Sequence, residues 1–137
     1  MNRLLLILVI LLLVSCQPSK NKLFEDINQM AEFNGIVEPT LIQGGKEKGF
    51  LEPLMTYGIF KFDSLDFKKL QQSIMDSEKF ISGNYYLNIE LDDYLLKNKL
   101  EILNMANSII TENKYDNTYH VYLLSDKNTV AICKVNH

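Results

Sequence analysis

A chain of 137 residues, 47% of them hydrophobic, is one domain's worth of material, and without Trp its seven Phe and seven Tyr supply the bulk of any core. The 14 basic and 17 acidic residues leave it mildly acidic, and every basic residue after Arg3 is Lys. With no arginine fork beyond Arg3 and no basic excess, nucleic-acid binding drops out as a function class.

The chain opens MNRLLLILVILLLVSC. The free amine and Arg3 make a short positive start, and Leu4 to Val14 form an uninterrupted apolar run of eleven residues. A membrane-spanning helix needs roughly 20, so this run has the length of a signal-peptide core. Leu13-Val14-Ser15-Cys16 then resembles the lipobox of bacterial lipoproteins: a branched apolar residue, a tolerated position, a small residue and Cys. The resemblance implies cleavage before Cys16, a diacylglycerol on its thiol and a further acyl chain, of the palmitate kind, on its amine. Each buried methylene contributes about 0.8 kcal/mol, so two or three chains make a durable anchor where one does not. Under the best-known sorting rule an Asp after the Cys retains a lipoprotein in the inner membrane, so Gln17 points to the outer membrane.

Three stretches follow from this: a signal helix over residues 1–15, a lipidated Cys and tether over 16–21, and a single domain over 22–137. Gln17 to Asn21 is short and polar, with little to pack. Leu23, Ile27, Met30, Ala31 and Phe33 recur at helical spacing, predicting a helix from Lys22 to Phe33 that Asn34-Gly35 stops. Ile36 to Gln43 reads as a strand and Gly44 to Gly49 as a polar turn. Met55 to Phe62 has the β-branched and aromatic content of a strand. Asp63 caps a second helix, with Phe67, Leu70 and Ile74 as its buried stripe.

Asn84 to Leu91 alternates apolar and polar residues and predicts a strand. Asp92 and Asp93 open a long helix to Glu112, its stripe formed by Leu96, Leu100, Leu103 and Ile110. Tyr119 to Leu124 and Thr129 to Val135 predict a hairpin around Ser125-Asp126-Lys127-Asn128. The sum is an α+β fold, a two-layer sandwich with a mixed, mostly antiparallel sheet and two main helices.

Few constellations carry chemistry. A hairpin turning at Asp126-Lys127 sets His120 opposite Cys133, where a thiol and an imidazole about 5 Å apart could activate one another or share a metal. Two ligands do not complete a zinc site, and the other His is His137. A buried Cys beside a half-exposed His is the plainer reading. Glu90, Asp92 and Asp93 could bind a cation or act as acid and base, but Asp at a helix start is also what capping and the dipole favour. Gly44-Gly45-Lys46 lacks the Ser or Thr and the following helix of a phosphate loop, and Asp116-Asn117 lacks the spacing of a calcium loop.

No catalytic, cofactor or metal residue is assigned, and no cofactor is expected; the modification site is Cys16. The reading is a lipid-anchored bacterial cell-envelope lipoprotein whose domain is a non-catalytic protein-binding or assembly module. Its partners are the membrane, through the lipid on Cys16, and an envelope protein. Tyr57, Tyr85, Tyr86, Tyr119 and Tyr122, on predicted strands, are candidates for a contact face. Two alternatives stay open: an inhibitor or immunity-type lipoprotein whose acidic domain steers toward a basic target, and an envelope enzyme using carboxylates such as Glu90 and Asp92 in a cleft.

Overall fold

The computed structural model describes residues 22–48, 54–83, 89–112 and 115–136. The expected signal helix, Cys16 with its tether, Tyr85, Tyr86 and His137 lie outside the described residues.

Helix α1 (Lys22–Ala31) buries Leu23, Ile27, Met30 and Ala31, the predicted stripe. It ends two residues earlier than Asn34-Gly35 suggested. Glu32 adopts a left-handed φ of 51°, and the Phe33 N–H returns to the Asn28 carbonyl at 3.1 Å. Strands β1 (Thr40–Lys48) and β2 (Leu54–Lys61) pair antiparallel. The turn expected at Gly44-Gly45 is instead mid-strand, with Gly45 opposite Tyr57. A Cβ on Gly45 would stand 3.2 Å from the Tyr57 Cε1, so the glycine lets the aromatic ring lie across the edge strand.

Helix α2 (Ser64–Asp76) starts as predicted, the Asp63 carboxylate accepting the Leu65 N–H at 2.9 Å. Phe67, Leu70 and Ile74 are buried beneath it. A two-residue strand β3 (Ile81–Ser82) follows, then helix α3 (Ile89–Asn98) and strands β4 (Ile102–Glu112), β5 (Tyr115–Leu124) and β6 (Thr129–Asn136). The β5–β6 turn is held by Asp126, whose carboxylate accepts the Asn128 and Thr129 N–H groups and, at 2.6 Å, the Thr129 hydroxyl. Burial alone would raise the Asp126 carboxyl. The Thr129 hydroxyl, the two N–H groups and Lys61 outweigh it and hold the group below the ordinary carboxylate value.

The stretch from Asn84 to Glu112 departs from expectation. Residues 84–88 of the predicted strand lie outside the described residues, and Ile89 to Leu91 begin α3. That helix stops at Asn98, and the expected long helix to Glu112 is a strand over its second half. Lys99 takes a φ of 53° and the Leu100 N–H bonds the Leu95 carbonyl at 3.0 Å, which closes α3. Beyond it Ile102, Ile109, Ile110 and Thr111 suit a pleated surface, and β5 supplies a partner along β4 from Ile102 opposite Leu124 to Glu112 opposite Tyr115.

The fold is the α+β sandwich that the sequence predicts. One six-stranded sheet runs β1-β2-β6-β5-β4-β3 with every described pairing antiparallel. Helices α1 and α2 form the layer over one face, so the companion of α2 is α1 and not a helix over Asp92 to Glu112. Their core joins Ile27, Phe67 and Leu70 to Phe60, Tyr119, Val121, Val130 and Ile132 of the sheet. Phe24 packs edge-on against Phe33 and Phe62 at its rim, with ring centroids 5.6 Å apart for Phe24 and Phe62. On the opposite face α3 sets Leu91, Tyr94 and Leu95 over Met55, Ile59, Tyr122, Leu124, Cys133 and Val135. Burying each such Leu, Ile or Phe contributes roughly 1.5–3 kcal/mol. Tyr57, Tyr119 and Tyr122 are buried in these two cores, which removes them as an outward contact face.

Candidate functional site

The hairpin places His120 directly opposite Cys133, as the turn predicts. The pair belongs to a row across the whole sheet on the α3 face: Gly45, Tyr57, Cys133, His120, Asn107 and Ile81 stand side by side on successive strands. The His120 Nδ1 lies 2.9 Å from the Asn107 Oδ1. An amide oxygen only accepts, so with the amide in this orientation Nδ1 carries the proton. The imidazole also lies nearly parallel to the Tyr122 ring, 8° apart at a centroid distance of 6.4 Å.

The middle of this row, Tyr57, Cys133 and His120, is interior, while Ile81 at its end is 64% exposed. Cys133 is 1% exposed and His120 7%, so the half-exposed imidazole of the plainer reading is in fact buried with the thiol. A nucleophilic thiol needs an electropositive, partly open setting, and this one sits under α3. Of the α3 acids, Glu90 reaches the row's end through Gln43. Gln43 Nε2 donates to the Tyr57 hydroxyl at 3.4 Å and to Glu90 Oε2 at 3.5 Å, both long contacts. Because α3 opens at Ile89, Asp92 and Asp93 lie within the helix and not at its cap; Glu90 and Asp92 occupy the first turn, where the dipole favours them. Among the described residues no group of three or more His, Cys, Asp or Glu could hold a metal ion.

Two carboxylates outside the sequence reading's site candidates, one of them (Asp66) read only as a first-turn acid suited to the helix dipole, do more to shape the surface. Asp66, 1% exposed, accepts the Val37 N–H at 2.7 Å and the Ile36 N–H at 2.9 Å, fixing the α1–β1 loop. The hydrogen bond from Val37, then that from Ile36, holds the Asp66 carboxyl below its ordinary value, with a smaller contribution from Lys69 and against the opposing effect of burial. Gly35 makes the approach possible, since a Cβ there would come 2.8 Å from the Phe33 ring and 3.3 Å from the Asp66 Oδ2. Asp26 is likewise buried in α1, accepting the Tyr119 hydroxyl and the Lys22 ammonium, each at 2.7 Å. Both were findable in the sequence: Asp66 precedes Leu70 and Ile74 at four-residue intervals, and Asp26 lies between Leu23 and Met30 on the buried stripe.

The loop that Asp66 holds presents aliphatic side chains to solvent, with Ile36 71% and Val37 53% exposed. Beside it a cleft of about 250 Å³ opens between α1 and the loop, lined by Phe24, Glu25, Asn28, Gly35, Val37 and Glu38. The Asn28 Oδ1 is itself buried, with no hydrogen-bond donor among the described residues. A second cavity, about 290 Å³, is walled chiefly by Ile74, Phe80, Met105, Val121 and Leu123 at the end of α2. Comparison with protein-family models, curated proteins and solved structures returned no match.

Proposed function

We propose that the chain is a lipid-anchored envelope lipoprotein whose domain is a non-catalytic binding module. The observation that carries the anchor is the Leu13-Val14-Ser15-Cys16 lipobox after an apolar run of eleven residues, with Gln17 favouring the outer membrane. Among the described residues no helix is long and apolar enough to cross a membrane, so attachment through them by a spanning helix has no support. The binding half of the reading draws support from the α1–β1 loop. A carboxylate and two N–H groups hold it in place, yet its Ile36 and Val37 face solvent. Preorganised apolar groups at a surface lose little entropy on contact with a partner.

The anchor is tested by growing cells with an alkyne analogue of palmitate and comparing the chain with its Cys16→Ser variant. Label on the first, absent from the second, is the expected result. Equal labelling, or none on either, overturns the lipidation. A crosslinked pull-down from native membranes then addresses the module, with recovery of a stoichiometric envelope protein expected. An inhibitor or immunity role is the second reading, favoured by Glu25 and Glu38 around the cleft beside the exposed loop.

A further inference from the structure

The loop after α1 folds back along that helix toward its first turn. The Phe33 N–H returns to the Asn28 carbonyl, and farther on Val37 and Glu38 share a cleft with Phe24 and Glu25. Phe24 lies two residues after Lys22, where α1 begins. The exposed Ile36 and Val37 therefore stand at the end of the domain from which the chain leaves toward Cys16. The six residues Cys16 to Asn21 span at most about 20 Å when fully extended. That is less than the roughly 30 Å width of a small domain, so a lipid on Cys16 keeps this end of the domain next to the bilayer.

We infer that Ile36 and Val37 form a second membrane contact, dipping into the boundary between headgroups and acyl chains of a zwitterionic phospholipid leaflet. Side chains that enter this layer need apolar surface. The backbone beside them must bring its hydrogen bonds along, because the acyl region supplies no partner. Both conditions are met: the two side chains are 71% and 53% exposed, and the Ile36 and Val37 N–H groups are already bonded to the Asp66 carboxylate. The charge at this end favours an apolar contact over an electrostatic one. Lys22 is paired with Asp26 at 2.7 Å, and Glu25 in the same turn adds a negative charge, unlike the polybasic clusters that select anionic lipid. Two aliphatic side chains alone would bind a bilayer weakly. On a short tether the contact becomes intramolecular, with an effective concentration in the millimolar range, so a weak contact suffices to orient the domain. The inference rests on the Cys16 anchor and gives the loop a lipid partner, so an envelope protein would meet the module on another face.

The test uses the lipidated chain as cells make it, methyl-labelled and placed in phosphatidylcholine nanodiscs that contain a lipid with a nitroxide near the top of its acyl chain. The methyl signals of Ile36 and Val37 should be broadened severalfold more than those of Ile81, Ile89 and Ile109. These three are comparably exposed but lie on β3, α3 and β4, away from the α1–β1 loop. Partial replacement of phosphatidylcholine by phosphatidylglycerol should not strengthen the effect, and salt should not remove it. Four results overturn the contact: equal broadening at all five residues, none at Ile36 and Val37, broadening that grows with anionic lipid and vanishes in salt, or a protein crosslinked through Val37 in native membranes. Palmitate labelling of the same chain separates this inference from the reading it rests on. A labelled Cys16 with a silent loop sinks the inference and leaves the anchor standing, while an unlabelled chain removes both.

Discussion

The two faces of the sheet use buried polar groups in opposite ways. Under α1 and α2, Asp26 reaches from a helix to Tyr119 of the sheet, and Asp66 reaches from a helix to the backbone of a loop. These bonds cross between layers. Under α3 the short polar contact runs within the sheet, from His120 of β5 to Asn107 of β4, while the bond that crosses to the helix, from Gln43 to Glu90, is long at 3.5 Å. A bond across layers fixes how a helix sits, whereas a bond between paired strands reinforces a ladder the backbone already makes. The face bearing the cross-layer bonds is also the one that presents the exposed Ile36 and Val37 and the cleft.

That contrast can be broken by mutation, beginning where the effect is largest. Phe67→Ala empties the middle of the α1–α2 core and should cost about 3–5 kcal/mol in urea unfolding, as large aromatic truncations do. If it costs under 1 kcal/mol, α2 is not held by that core. Tyr119→Phe removes the hydroxyl from Asp26 and leaves a buried carboxylate one donor short. A loss of about 1–3 kcal/mol is expected, and a double-mutant cycle with Asp26→Asn should show clear coupling between the two. Additive effects would mean that the bond does not tie α1 to the sheet.

Asn107→Ala takes only an in-sheet partner from His120, and about 1 kcal/mol is the expected loss by the same unfolding assay. A loss matching that of Tyr119→Phe would erase the distinction between the faces. Asp66 sharpens it through pH. Its carboxyl titrates lower in the folded chain than its ordinary 3.8, so its stabilisation is complete above that value and is lost as pH falls through the lowered folded one. Asp66→Asn should therefore flatten the acid limb of the melting temperature below about pH 4 while leaving its slope near pH 7 unchanged. Parallel acid limbs for the two proteins would mean that the carboxylate does not grip the loop.

Regions differ just as much in how far they could be read in advance. In α2 a cap at Asp63 and the stripe of Phe67, Leu70 and Ile74 agree with one another, so local chemistry and burial lead to the same helix. The β5–β6 hairpin was equally legible, because Asp126 in a four-residue turn sets the register and with it the pairing of His120 with Cys133. What the register could not convey is that α3 closes over that pair. Between Leu96 and Ile110 two periods compete: Leu96, Leu100, Leu103 and Ile110 suit a helix, while Ala106, Ser108 and Ile110 line one face of a strand. Pairing with β5, distant in sequence, decides between them.

By itself the sequence determined the mildly acidic charge, the class of α+β sandwich, the N-terminal resemblance to a lipoprotein signal and the helices and hairpin whose local signals agree. Tertiary structure alone decided that β4 is a strand, that glycines at 44 and 45 run through β1, that the thiol and imidazole are interior, and that Asp66 holds Ile36 and Val37 at the surface. The physical reason is range. Caps, turns and single periodicities act within a few residues and can be read along the chain. Strand pairing, the burial of a thiol beside an imidazole and a carboxylate reaching a loop some thirty residues away in sequence depend on contacts that exist only once the layers have packed.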